Sequence, residues 1–328
     1  METTATTSTN KVSSASRTIV IKIGGSSITN KAEIETLDSQ MLDWVCKTIS
    51  SSNTLYPTTR GRNKFIIVHG AGSFGHHTAK KFGLCGQTKV PKLIIPSKKS
   101  SCVINNDEND HNTQNQNAIE GLAKTRLSVQ TLNLSIVGAL IKVGVNAVGI
   151  SPFNIPNMRA HGGDERNAMS NLATVVRDAL DVGLVPVLHG DACLYSRDIP
   201  VGILSGDTIV NYLGIDSSIG ASSVVFLTDV DGVFTSDPKA VADDMQQPEI
   251  IPLIEVDKNR NIISHTSICA SGSSHQHDVT GGLETKLKSA IDVAAHGVEV
   301  IIAKCGSESA KQAINCQPIS RGSVIRLK

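Results

Sequence analysis

Along the chain, short β-branched apolar runs alternate with longer stretches in which apolar residues recur every three or four positions, and glycine punctuates the joins. Thr18-Ile19-Val20-Ile21-Lys22-Ile23 and Phe65-Ile66-Ile67-Val68 read as buried strands. Between them, Leu37, Met41, Trp44, Val45 and Thr48 fall at helical spacing. Further strands are predicted over Val145–Ile150, Leu184–Leu188, Ser223–Leu227 and Val298–Ala303. Helices are predicted from Asn117 to Val143 through Ile119, Leu122, Ile136, Val137, Leu140 and Ile141, then through Leu172, Val175, Val176 and Ala179 to Gly183. A last one runs through Leu287, Ile291 and Ala294 to Gly297. Strand and helix alternating in this way predict an α/β fold, a three-layer α/β/α sandwich on a largely parallel central sheet.

Two stretches depart from the pattern. From Cys85 to about Gln116 the composition turns polar, and Asn105 to Asn112 with the Gln and Asn residues that follow predicts a mobile or disordered insert. The loop Ser151-Pro152-Phe153-Asn154-Ile155-Pro156-Asn157-Met158-Arg159 is rich in apolar groups, which fits either packing or the lining of a hydrocarbon pocket. The first 17 residues, rich in Ser and Thr with one acid, read as a disordered leader, with organelle targeting as the alternative. The remainder, 18–328, reads as a single domain.

Composition narrows the partner. At 328 residues and 40% hydrophobic content the chain has enough apolar mass for a large core. A net charge of +1 and 3% aromatic residues argue against a nucleic-acid surface, and a small-molecule partner is expected. No apolar run reaches the roughly 18–20 residues that span a bilayer, so no membrane association is expected. The seven cysteines contain no C-x-x-C pair, which speaks against a disulfide framework and a zinc site and fits reduced structural thiols of a cytoplasmic enzyme.

The candidate chemistry gathers where strands meet glycine. After Val68 the chain reads His69-Gly70-Ala71-Gly72-Ser73-Phe74-Gly75-His76-His77, a loop whose backbone N–H groups can close on an anion, with His76 at its rim. Gly70 to Gly75 also fits the dinucleotide fingerprint G-x-G-x-x-G. The acidic residue that fingerprint needs about 20 positions on is absent, because Lys89 to Lys99 holds no Asp or Glu. A second glycine loop, Gly24-Gly25-Ser26-Ser27, follows the first strand, and Lys31 lies beyond it. Lys22 sits inside that strand, where an ammonium is costly without an anionic partner. Ser205-Gly206-Asp207 reads as a helix start. Asp229 and Asp231, at a strand's carboxyl end, suit a ribose hydroxyl or a hydrated Mg²⁺, although Asp231-Gly232 also reads as a simple turn. Thr280-Gly281-Gly282 leaves a third helix N-terminus open to an anion, with Lys286 about one turn in. Three glycine loops, three lysines and one histidine make hardware for phosphoryl transfer, in which a protein mostly positions groups and neutralises charge.

Lys22-Ile23-Gly24-Gly25-Ser26, His69-Gly70-Ala71-Gly72, Ser205-Gly206-Asp207, Thr228 to Val233 and Thr280 to Lys286 resemble, in that order and from Thr18 onward, the amino acid kinase superfamily. Within it, Gly72-Ser73-Phe74-Gly75-His76 with Ser27-Ile28-Thr29-Asn30-Lys31 is most similar to the isopentenyl phosphate kinase family. The resemblance implies conversion of isopentenyl phosphate, and also dimethylallyl phosphate, to the diphosphate with ATP and Mg²⁺. It places the acceptor in an N-terminal half, 18–190, and the nucleotide in a C-terminal half, 191–328, and implies a homodimer. It further implies that Lys22 and Lys286 contact ATP phosphates, that Lys31 stabilises the transferred phosphoryl and that His76 binds the acceptor phosphate. Gly24, Gly25 and Ser26 would cradle the ATP phosphates, with Asp229, Gly281 and Gly282 near the nucleotide. Gly70, Ala71, Gly75 and Gly190 would lie near the acceptor. Ala71 stands where many relatives carry another glycine. A kinase of another small acceptor, such as a fosfomycin-type phosphonate, and a non-catalytic sensor of the same fold are the alternatives.

Overall fold

The computed structural model of the chain describes residues 16–30, 32–54, 63–84, 107–159, 165–194, 201–235, 248–264 and 282–328; for 53–54, 107–115, 165 and 282–284 it describes the backbone alone. In chain order the elements are β1 Thr18–Ile23, α1 Gly25–Ile28, α2 Ser39–Thr54, β2 Lys64–His69, α3 His76–Lys81, α4 Asp107–Lys142, β3 Ala147–Ile150, α5 Glu165–Asp181 and β4 Val185–His189. The chain continues through β5 Asp191–Leu194, β6 Val201–Leu204, α6 Gly206–Ile215, β7 Ala221–Thr228, β8 Leu253–Val256, α7 Gly282–Ala295, β9 Glu299–Lys304, α8 Glu308–Ile314 and β10 Ser323–Leu327. Eight strands form one sheet in the order β3-β4-β2-β1-β7-β9-β10-β8, and β5 and β6 make a separate antiparallel hairpin.

Every pairing from β3 to β9 is parallel, and only β10 against β9 is antiparallel. All six residues of β1 are buried, as expected for a parallel strand covered on both faces. Because side chains alternate across a strand, Ile19, Ile21 and Ile23 pack into the layer that holds α2, α4 and α8. Val20 packs on the other side, with residues of α5, α6 and α7. Burying one such isoleucine contributes about 1.5–3 kcal/mol, whereas an unpaired ammonium in the same strand costs several. The sheet therefore tolerates Lys22 only with a partner.

From β1 the chain winds first toward β2, β4 and β3, and later crosses to the other side through β7 and β9. The order thus reverses at β1 and β7. In an open α/β sheet a crevice forms at such a point, outside the carboxyl ends of the strands.

Several elements differ from the sequence expectation. The polar stretch Asp107–Gln116, expected to be disordered, is the N-terminal part of α4, whose backbone is helical from Asp107. No Pro or Gly interrupts 107–120, so the ladder of the apolar part propagates outward; the rest of that insert, 85–106, lies outside the described residues. Ile119 and Ile141, expected in the core, are exposed, because the apolar stripe of α4 runs through Ala118, Val129, Leu132, Ile136 and Leu140. The apolar loop after β3 packs: Pro152, Ile155 and Met158 are buried, the last two against α5. The hairpin β5–β6 and the last two strands at one side of the sheet, β10 and the edge strand β8, carried no distinct signal. The leader lies outside the described residues up to position 15.

Candidate active site

The two glycine loops lie back to back. Gly24 N–H donates to Leu227 O at 2.9 Å and Gly70 N–H to Ile23 O at 2.9 Å, so each loop leaves its strand still tied to the neighbouring one. A Cβ at Gly25 would overlap the backbone nitrogen of Gly72, and a Cβ at Gly70 would come 2.8 Å from the nitrogen of Gly25. Gly72 also takes a φ of +52°, a conformation that favours glycine. Thr29 pins the contact. Its Oγ1 donates to Gly25 O at 2.8 Å and accepts from Ser73 N–H at 3.0 Å. Ala71 has φ −71° and ψ −31°, ordinary helical values that need no glycine. Close backbone packing therefore accounts for Gly25, Gly70 and Gly72, which the sequence suggested only as anion cradles.

A third approach joins β4 to α6. A Cβ at Gly190 would sit 2.9 Å from the nitrogen of Gly206, and one at Gly206 would sit 2.9 Å from Lys22 Cε. Ser205 caps α6, its side chain accepting from Asp207 N–H at 3.1 Å. That cap places Asp207 in the first helical turn, where its Oδ1 meets Lys22 Nζ at 2.9 Å. Both side chains are 6% exposed. The buried lysine of β1 thus has its anion.

These loops enclose a cavity of about 510 Å³ at the carboxyl ends of β1, β2 and β4. Lys22, Gly24, Gly25, Ser26, Gly70, Ala71, Gly75, His76, Gly190 and Lys286 all line it, so most of the residues proposed from sequence come together. Asp229 is not among the lining residues; it is exposed on the loop after β7. Lys31 and Gly281 lie outside the described residues, although Asn30 and Ala32, which flank Lys31, line the cavity. Gly282 begins α7. Asp207, which the sequence suggested as part of a helix start and of a family motif but not as a site residue, lines the cavity with Lys22.

The apolar part of the lining is Ala79, Val129, Ala192, Ile203 and Leu204, with Ala79 and Ala192 continuing into a small cluster around Leu84, Ala118 and Val201. These residues come from α3, α4 and the β5–β6 hairpin, not from the loop after β3, which contributes none of the lining. The wall beside Gly190 carries a second buried ion pair. Arg126 Nε lies 3.3 and 3.4 Å from the two carboxylate oxygens of Asp191, a cavity-lining residue that is 1% exposed. Arg126 Nη2 donates to Ser151 Oγ at 3.0 Å, and Ser151 Oγ donates to Asp191 Oδ2 at 3.0 Å. The guanidinium stacks 3.8 Å from the Phe153 ring centre. Burial pushes the Asp191 carboxyl above the usual range, against the pull of Arg126 and of the Ser151 hydroxyl.

Behind the glycine loops, β2 and β4 end alike. His69 and His189 are register partners, their rings 5.6 Å apart, and each directs Nδ1 at the carbonyl of the glycine that follows, at 2.9 and 3.0 Å. Nδ1–H therefore donates to that carbonyl in each neutral ring, and His69 Nε2 accepts from Asn133 Nδ2 at 3.1 Å. Burial lowers both imidazoles, His69 to about 3, so neither acts as a cation near neutrality. Burial also raises the Cys46 and Cys305 thiols to about 12, in keeping with structural cysteines.

Sequence reasoning missed Asp207 as a site residue and missed Arg126 altogether. Arg126 lies four residues after Leu122 and three before Val129, on the buried stripe of α4. A charge inside an apolar stripe demands a partner, and that signal, already used for Lys22, finds it.

The model of the Amino acid kinase family matches residues 17–304. An isopentenyl phosphate kinase of Arabidopsis thaliana is 31% identical over 92% of this chain and 92% of its own length. One of Methanothermobacter thermautotrophicus is 30% identical over 86% of this chain and 88% of its own. A solved isopentenyl phosphate kinase superposes with a TM-score of 0.67 at 26% identity, covering 94% of this chain and 100% of that one. The chain belongs to the amino acid kinase family, among its isopentenyl phosphate kinases.

Proposed function

We propose that the protein phosphorylates isopentenyl phosphate with ATP, giving isopentenyl diphosphate and ADP. The carrying observation is one cavity lined by Lys22, His76, Lys286 and the glycine loops together with the apolar residues Ala79, Val129, Ala192 and Ile203. Cationic groups suit phosphates, and the apolar lining suits a short hydrocarbon tail. An acceptor phosphate oxygen attacks the terminal phosphorus of ATP, the bond to the bridging oxygen breaks, and ADP leaves. A phosphate monoester, with a second pKa of about 6, is nucleophilic at neutral pH without a strong base. The obstacle is repulsion between two anions, and fixed cations reduce it.

In this reading Asp207 holds the Lys22 ammonium against the phosphates, Lys286 reaches the nucleotide from α7, and His76 binds the acceptor phosphate. Lys31 and Gly281 keep the roles that the resemblance gives them, and Asp229 serves the nucleotide at the rim. Mg²⁺ arrives bound to ATP and supplies further charge neutralisation. The acceptor half and the nucleotide half meet at the cavity, with the hairpin just past residue 190 adding Ala192 and Ile203 to the acceptor wall. Among the described residues no helix is long and apolar enough to cross a membrane. A cytoplasmic location and a homodimer complete the reading.

The test is ADP release with Mg-ATP and isopentenyl phosphate, beside dimethylallyl phosphate, a longer prenyl phosphate and fosfomycin, in the native protein and in His76→Ala. Turnover of the short prenyl phosphates, lost in the variant, is expected. Turnover of fosfomycin with the prenyl phosphates inert overturns the acceptor assignment, and silence with every acceptor overturns the kinase reading.

A further inference from the structure

A carboxylate is an unexpected component of a wall that receives a dianion. Asp191 follows Gly190 directly and is a lining residue, but its carboxylate is wholly buried behind the wall, so its charge lies close to the acceptor side with little solvent to screen it. Arg126 meets both of its oxygens, and Ser151 closes the triangle by accepting from Arg126 and donating to Asp191. The Phe153 ring covers the guanidinium. His189, whose Nδ1 is 3.9 Å from Asp191 Oδ2, donates to Gly190 O and is held neutral, so it adds no compensating charge. The arginine sits on α4, Ser151 after β3 and Asp191 at the head of β5, so one cluster ties three elements beside the acceptor wall.

We propose that Arg126 is a positioning residue of the acceptor site: it neutralises Asp191 and fixes the Gly190–Asp191 turn, so that a phosphate dianion can bind against a wall containing a carboxylate. The inference rests on the acceptor reading above. Removing the guanidinium alone exposes the acceptor to the Asp191 charge and frees the turn. Removing both charges restores a neutral wall.

The measurement is the dissociation constant of isopentenyl phosphate by calorimetry, with the KM of ATP alongside, for the native protein, Arg126→Met, Asp191→Asn and Arg126→Met/Asp191→Asn. Arg126→Met is expected to weaken isopentenyl phosphate about tenfold, the scale of one uncompensated charge near a bound anion. ATP is expected to change less than twofold, and the double variant to regain most of the loss. Asp191→Asn alone, which leaves a cation in the wall, is expected to bind isopentenyl phosphate as tightly as the native protein or more tightly. Failure of the native protein to bind isopentenyl phosphate overturns the acceptor reading itself. Native binding with an unchanged constant in Arg126→Met, whatever its thermal midpoint, overturns the inference and leaves a purely structural pair. A double variant as weak as the single overturns the charge-masking role. Should Arg126→Met not fold, Asp191→Asn decides: tenfold weaker binding there overturns the proposal.

Discussion

Two buried ion pairs flank the same cavity, and the chemistry of their cations sets them different tasks. Lys22 and Asp207 join the middle strand to the first turn of α6, and both line the cavity. An ammonium is a compact charge with three donors on a flexible stem, so one contact with Asp207 leaves capacity for a phosphate. Arg126 and Asp191 join α4 to the head of β5; Asp191 is a lining residue with its carboxylate buried behind the wall, and Arg126 does not line the cavity. The guanidinium fork is committed to Asp191 and Ser151 and stacked on Phe153. Its planar geometry makes it a strut. Both pairs place a cation beside the cavity, but in the proposed reading one presents it to phosphate and the other uses it to cancel an internal charge.

The sharpest way to break the comparison is Lys22→Met. We expect kcat to fall about 10³-fold, equivalent to about 4 kcal/mol of transition-state stabilisation, while the acceptor KM moves far less. Steady-state ADP release measures both. A variant that keeps a tenth of the native rate makes Lys22 a strut like Arg126.

Next comes stability. Arg126→Met leaves Asp191 buried without its cation, and the unfolding free energy in urea is expected to drop by about 3 kcal/mol, the usual scale for half of a buried pair. Asp191→Asn in the same chain is expected to recover more than half of it. A loss below about 1 kcal/mol places the pair with exposed ones and removes the strut.

The histidines behind the loops give a pH signature. The folded protein holds His69 at about 3, below the ordinary 6.5, so the unfolded chain binds the proton first as pH falls. Its contribution to stability is therefore complete above pH 6.5 and is lost at up to about 1.4 kcal/mol per pH unit between 6.5 and 3. His189 is shifted the same way, while the raised Asp191 carboxyl works in the opposite direction at the acid end of that window. Urea midpoints between pH 7 and 4 are expected to fall, and His69→Gln to fall less steeply. Equal slopes in the two proteins contradict the buried neutral imidazole.

The two pairs also show what the sequence made legible. Lys22 stood out because it shares a six-residue strand with Ile19, Val20, Ile21 and Ile23, where an ammonium has no other reason to sit. The alternation of that strand, its twin at Phe65 and the glycines after them were enough to place the cavity. Asp207 was visible as a helix start and part of a family motif but not as a site residue, because nothing in the local sequence shows that α6 opens opposite β1; tertiary packing brings residues 22 and 207 together. Arg126 was harder to see. Its stretch of α4 mixes charges with apolar groups, and the expected stripe included the exposed Ile119 and Ile141 while passing over the buried Ala118 and Val129. Gly24, Gly25, Gly70, Gly75 and Gly190 line the cavity, but the sequence explained the glycines incompletely, since strand-end glycines meet one another across the sheet and local sequence carries no mark of that contact.

The smallest expected effect concerns a polar group near the cavity that belongs to neither pair. Thr125, one residue before Arg126, lines the cavity and is 2% exposed, and its hydroxyl has no hydrogen-bond partner among the described residues. An unpartnered buried hydroxyl costs about 1–3 kcal/mol, and valine has nearly the same shape with a methyl in its place. Thr125→Val is therefore expected to raise the unfolding free energy of the ligand-free protein by about 1 kcal/mol. Arg126→Met moves stability in the opposite direction from the neighbouring position, so the two variants measured together by urea denaturation separate a satisfied polar group from an orphaned one on a single helix turn. A destabilisation of about 1 kcal/mol or more in Thr125→Val shows that the hydroxyl has a bonding partner in solution. The apolar lining would then hold a polar contact, and the short hydrocarbon tail assigned to it would have to share that lining with a hydrogen bond.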